Sequence, residues 1–146
     1  LKDGDAVRAA VDGMTGTFGA EGLRFFVQEY CPGGLEVIVG AKAEEGLGHL
    51  VMFGVGGIYV EVLKDVAFKL TPVTDAEARE LLSGIKAAPL LDGVRGERGA
   101  DKEGLVDLIG RLSQLVTELP AIREMDLNPA IAYADRVCVV DARVSL

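Results

Sequence analysis

The clearest pattern in the chain lies between residues 101 and 120. Leu105, Leu108, Ile109, Leu112, Leu115, Val116 and Leu119 recur at steps of three and four, so they share one stripe of a helix. Asp101 is placed to cap that helix and Pro120 to end it. A second helix opens at Thr74-Asp-Ala-Glu77, a capping box in which hydroxyl and carboxylate each satisfy a free amide. It runs to about Gly84 and turns Ala78, Leu81, Leu82 and Ile85 inward. A third, earlier helix has Asp5 as its expected N-cap and carries Val7, Ala10, Val11 and Met14 on its core side. Gly13 and Gly16 weaken it, and Gly19 and Gly22 end it.

Elsewhere the pattern changes to strands. Leu23–Tyr30 is aromatic and β-branched, Cys31-Pro-Gly-Gly34 is a turn, and Leu35–Gly40 is a second strand, so 23–43 reads as a hairpin-like unit. A turn at 44–48 leads to a short buried strand, Leu50–Phe53. Gly54-Val-Gly-Gly-Ile-Tyr-Val-Glu61 is a glycine-rich link that fits neither a Walker A loop nor a dinucleotide fingerprint. It either lets backbone approach a phosphate closely or makes a tight turn. Val66–Leu70 is a strand stopped by Pro72, and Pro89 to Ala100 is a loop containing Gly93-Val-Arg-Gly-Glu97. The chain closes with two strands, Glu124-Met-Asp-Leu-Asn-Pro129 and Val139-Val-Asp-Ala-Arg143, joined near Ala134-Asp135. Helix, strands, two helices, two strands: the elements are segregated, which predicts an α+β fold.

Residues two apart in a strand share a face, so Asp126 joins Asn128 and Asp141 joins Arg143. If the closing strands pair, hard oxygen ligands meet beside one cation, as a magnesium–nucleotide site requires. The alternative is a solvated edge hairpin. Composition narrows the choice. The 146 residues suit one domain, and nearly half are apolar, enough for a core. A net charge of −8 without a basic run argues against nucleic acid or anionic membrane as partner. No apolar run approaches the ~20 residues of a membrane span. Cys31 and Cys138 have no metal spacing and read as reduced thiols of a cytoplasmic protein. His49 reads as structural, Lys64 and Lys69 as a solvated face, and Glu61 and Asp65 either face phosphate or cap a turn. Leu1 in place of Met suggests a piece of a longer polypeptide.

Val27-Gln-Glu-Tyr through Glu36-Val-Ile-Val-Gly40, Met52-Phe-Gly-Val-Gly-Gly through Glu61 and Asp65, Gly93-Val-Arg-Gly, Asp126-Leu-Asn-Pro and Val140-Asp-Ala-Arg resemble, in order, the ADP-forming acyl-CoA synthetases. The resemblance covers essentially the whole chain and is to the C-terminal part of the ATP-grasp domain, in acetyl-CoA synthetases and relatives including succinyl-CoA synthetase. It implies an antiparallel sheet with packed helices, residues 1–146 forming that one portion. It implies that backbone at Gln28, Glu29 and Tyr30 meets adenine, that Glu36 binds ribose, and that Asn128 and Asp141 ligate Mg2+. Asp126 becomes a water-mediated neighbour of the metal, and Arg95 and Arg143 candidate phosphate contacts. The implied cofactors are Mg2+ and ATP or ADP. The implied partners are the first half of the grasp domain and the CoA-binding and ligase portions with their phosphohistidine. The fragment alone is expected to be inactive. The alternative is a non-catalytic, nucleotide-sensing domain fused to an acetyltransferase.

Overall fold

The protein is described here by a computed structural model covering all residues except 58, 59, 61, 95 and 97. It divides into two compact units, residues 1–30 and 31–146.

The first unit holds helix α1, Gly4–Phe18. Its N-cap is Asp3 rather than the expected Asp5: Asp3 is extended and its carboxylate accepts from Ala6 N at 2.8 Å, the reach a cap requires. Asp5 sits in the first turn, where its charge also suits the helix N-terminus, and pairs with Arg8 at 2.6 Å. The helix ends at Gly19. Leu23–Tyr30 does not form the expected strand and joins no sheet. Its strand propensity finds no ladder, because both edges of the strand after the turn are taken by other partners.

That strand is β1, Leu35–Glu44, at the centre of the second unit. β2 (Gly48–Val55) pairs on one side and β3 (Val66–Leu70) continues that edge. On the other side lies β4 (Glu124–Ala132), followed by β5 (Val137–Val139) and β6 (Ala142–Ser145), which both pair with β4. Every pairing is antiparallel. The fold is α+β, an antiparallel sheet with packed helices, as the segregated elements predict.

Two helices pack on the sheet. α2, Asp75–Ser83, begins with the predicted capping box: Glu77 N donates to Thr74 Oγ1 at 3.3 Å and Thr74 N to Glu77 Oε2 at 2.9 Å. α3, Lys102–Glu118, is capped by Asp101, whose carboxylate accepts from Gly104 N at 2.9 Å. Its buried stripe is Leu105, Val106, Ile109, Leu112, Ser113 and Val116. Leu115 and Leu119 lie at the stripe's margin and stay exposed. Buried Ser113 accepts from Val73 N at 2.8 Å and so fastens α3 to the approach to α2. Within the expected loop after Pro89, Ala88–Asp92 forms a 3-10 helix.

The helices meet Val37, Val39 and Ala41 of β1, Val51, Phe53 and Val55 of β2, and Leu127, Ala130 and Ala132 of β4. On the opposite sheet face Ile38, Met52, Val60 and Phe68 line a groove. Phe53→Ala should therefore lower stability by roughly 3–5 kcal/mol, whereas Phe68→Ala on the open face should cost far less, read by urea unfolding. The Thr74 backbone amide and then its hydroxyl hold the Glu77 carboxyl below its ordinary value near 4.5. A lowered folded value stabilises above that range and is lost as pH falls through it. Glu77→Gln should accordingly melt lower than the parent at neutral pH, with the gap closing on acidification below about pH 4.

Candidate functional site

The site is built on a local irregularity of β4. β1 and β4 pair from Lys42↔Glu124 to Val39↔Leu127, then resume at Val37↔Ala130. Asn128 and Pro129 together face Ile38, a β-bulge. Pro129 has no N–H to give a ladder, which suits it to such a break. The facing chain is interrupted to match, since β5 stops at Val139 and β6 starts at Ala142. Across the gap Asn128 N donates to the Asp141 carbonyl at 3.1 Å, and Val140 N and Asp141 N converge on the Pro129 carbonyl at 3.0 and 3.4 Å. Backbone alone thus holds Asn128 opposite Asp141, with both side chains exposed.

Directly paired residues share a face. Phe68 pairs with Met52, Met52 with Gly40, Gly40 with Asp126, and Asp126 with Arg143, one row across the whole sheet. A groove of about 460 Å³ runs over this face, lined by Ile38, Lys42, Met52, Phe68, Asp126 and Asn128 among others. Its floor is apolar toward β3 and polar toward β6. The apolar floor was not singled out in the sequence. Its signal is the presence of apolar side chains on both faces of β1 and β2, Ile38 beside Val37 and Met52 beside Phe53, as in a strand covered on both sides.

Glu36 opens β1 and shares the face of Ile38 and Gly40; its carboxylate is exposed and its carbonyl accepts from Gly56 N at 2.7 Å. A Cβ on Gly56 would stand 3.1 Å from Glu36 Cβ. The close approach that the glycine link permits is thus made to Glu36 of the chain itself. Arg143 is exposed on β6 opposite Asp126, and among the described residues it forms no ion pair with Asp126 or Asp141. Gln28, Glu29 and Tyr30 lie in the first unit, where with α1 they line a groove of about 510 Å³. Arg95 and Glu61 lie outside the described residues.

Other candidates have structural duties. Asp65 is buried, accepting from Lys86 N at 2.8 Å and Ala87 N at 2.7 Å, so of its two readings it caps a turn, the one after α2. His49 is buried with Nε2 2.6 Å from the Ile122 carbonyl. Lys69 pairs with Glu80 at 2.5 Å. No three His, Cys, Asp or Glu side chains gather as a metal cage among the described residues. Asn128 and Asp141 supply two hard oxygens, a donor set that suits magnesium when water and phosphate oxygens complete the shell.

Residues 1–146 match the ATP-grasp domain family along their full length. The chain is 48% identical over 122 residues to a 4-hydroxybutyrate–CoA ligase (ADP-forming) of Nitrosopumilus maritimus, covering 82% of this chain and 18% of that protein. It is 49% identical over 115 residues to the β subunit of acetate–CoA ligase (ADP-forming) I of Pyrococcus furiosus, covering 79% of this chain and 50% of that subunit. The chain therefore spans half or less of these relatives. A solved structure of Candidatus Korarchaeum cryptofilum acetyl-coenzyme A synthetase 1, in complex with coenzyme A and Mg-AMPPCP, superposes with a TM-score of 0.89 at 37% identity, covering 100% of this chain and 65% of that one. In that complex the phosphohistidine segment points towards the nucleotide binding site.

The two aspartates separate structure from site. Asp65→Ala leaves two amides without their acceptor and should cost about 1–3 kcal/mol or more. Asp141→Ala removes only an exposed side chain and should move stability by less than about 0.5 kcal/mol, both read by chemical denaturation.

Proposed function

The chain belongs to the ATP-grasp domains of the ADP-forming acyl-CoA synthetase family, and from that membership we propose that it is the nucleotide- and magnesium-binding part of such an enzyme. The complete protein would interconvert acid, CoA and ATP with acyl-CoA, ADP and phosphate, through an acyl phosphate and a phosphohistidine. The observation that carries the reading is the bulge at Asn128-Pro129, where backbone hydrogen bonds hold the Asn128 and Asp141 segments together and Asn128 lines the polar end of an otherwise apolar groove.

Ile38, Met52 and Phe68 offer an apolar floor to a ligand lying over the sheet. By the family resemblance, Gln28–Tyr30 would contact adenine through backbone groups, and Glu36 would accept hydrogen bonds from the ribose hydroxyls. Asn128 and Asp141 would hold magnesium, with Asp126 behind them; Arg143, and Arg95 from its loop, would approach phosphate. Bound magnesium supplies charge neutralisation to phosphate oxygens during transfer. The chain's own part is positioning and a fixed polar environment, with no side chain here acting as nucleophile. A chain of net charge −8 needs those local cations, since its overall field repels a nucleotide. The remaining parts of the synthetase, including the first half of the grasp domain and the CoA-binding and ligase portions, would supply the other jaw and the histidine. Residues 1–146 alone would then be inactive, and the setting would be the cytoplasm.

In the full-length protein, Asp141→Ala should cut ATP formation from acyl-CoA, phosphate and ADP by roughly 100-fold or more, the scale of several kcal/mol of lost charge stabilisation. The circular dichroism spectrum should be unchanged. Turnover at the parental rate in that variant would sink the assignment.

A further inference from the structure

Cys31 and Cys138 stand 107 positions apart in sequence, yet their sulfurs lie 3.4 Å from one another. Neither is in a disulfide, and both are half-buried. The fold brings them together by a specific route. Gly33 and Gly34 have φ of 66° and 79°, a region that favours glycine, and they turn the chain into β1. A Cβ on Gly34 would come within 2.5 Å of Ile131 Cγ2 and 3.1 Å of Tyr133 Cε1, so the absence of a side chain lets this turn lie against the end of β4. Ile131 pairs with Cys138 on β5. The turn that precedes β1 is in this way pressed against β4, and the residue leading into it meets the neighbouring strand.

Tyr133 shapes the environment of the two thiols. The Tyr133 hydroxyl is buried beside them with no partner in hydrogen-bond geometry, although Cys31 is near enough to influence it. Burial first, and the charge of a Cys31 thiolate next, push the phenol up from its ordinary value, so it stays neutral. The Arg136 guanidinium sits 4.6 Å from the centroid of the Tyr133 ring. No cluster of three metal-ligating side chains forms here among the described residues.

We propose that Cys31 and Cys138 are a thiol–disulfide site, closed by low-molecular-weight disulfides and reopened by thiols. One cysteine thiolate attacks a sulfur of the small disulfide, forming a mixed disulfide and releasing one small thiolate. The second cysteine thiolate attacks the protein sulfur of that mixed disulfide, which forms the Cys31–Cys138 bond and expels the second small thiolate. Both leaving thiolates take up the protons the cysteines gave up, so the protein dithiol is oxidised and one small disulfide is reduced to two thiols. A disulfide bond is about 2.04 Å long, so the sulfurs need to close by about 1.4 Å. Cys31 belongs to no helix or strand, and the movement falls on backbone free of ladder hydrogen bonds. The bond would tie the residue that follows Tyr30 to β5, closing a loop of more than 100 residues and restricting the unfolded chain. This proposal stands apart from the nucleotide reading and survives if that reading fails.

The test is incubation of the full-length protein with excess glutathione disulfide, followed by thiol titration, intact mass and peptide mapping. The expected result is loss of both thiols, a mass lower by two hydrogens, a peptide pair joining Cys31 to Cys138, and a melting temperature raised by several degrees and restored by dithiothreitol. Cys31→Ser and Cys138→Ser should each leave the remaining cysteine as a glutathione adduct, without the rise in melting temperature. Wild-type protein that keeps both thiols, carries two glutathione adducts, or links between chains would overturn the proposal.

Discussion

One extra residue in β4 organises the second unit. Strand pairing forces side chains to alternate, so the buried face of β4 can be satisfied only if its register with β1 is kept. At Asn128-Pro129 that register slips by one, and Leu127 and Ala130 both still reach the helical side. The bulge absorbs the mismatch, leaving the core intact while Asn128 is released from it. Its partner strand breaks at Val140-Asp141, and backbone bonds between the two irregular segments hold the polar groups in place. The core and the candidate metal site therefore depend on the same feature.

The two faces of the sheet divide the work. One is sealed by α2 and α3 around Val39, Phe53 and Ile109, all fully buried. The other bears a groove that grades from Phe68 and Met52 to Asp126 and Asn128. Such a gradient suits a ligand with a flat apolar end and an anionic end. Acidic residues are not interchangeable within this arrangement. Asp65 is consumed by two amides, Asp101 and Asp3 by helix starts, whereas Asp126, which lines the groove, and exposed Asp141 take no hydrogen bond from a described side chain.

Much of this was readable in order. Both C-terminal helices, the capping box at Thr74, the cap at Asp101 and the strand Val66–Leu70 follow from local rules: period, cap chemistry and turn residues. The α+β class follows from their segregation. Local rules failed where the outcome depended on partners. Leu23–Tyr30 has strand composition, but β1, the strand it was expected to pair with, has both edges taken, and Asp3 outcompeted Asp5 because a cap is decided by backbone direction. Asp65 had two readings, and only packing showed that its oxygens meet the amides of Lys86 and Ala87.

The sequence by itself determined the helices, most strands, the order of motifs and which residues of the closing strands carry side-chain oxygens. Those are properties of spacing along one chain. Tertiary structure alone decided that Asn128 faces Asp141, that Arg143 lies opposite Asp126, and that Cys31 meets Cys138. Each of those is a contact between distant segments, set by strand order, register and one bulge. Nothing in the intervening residues encodes such distances locally; the fold brings the groups together only once the sheet has closed.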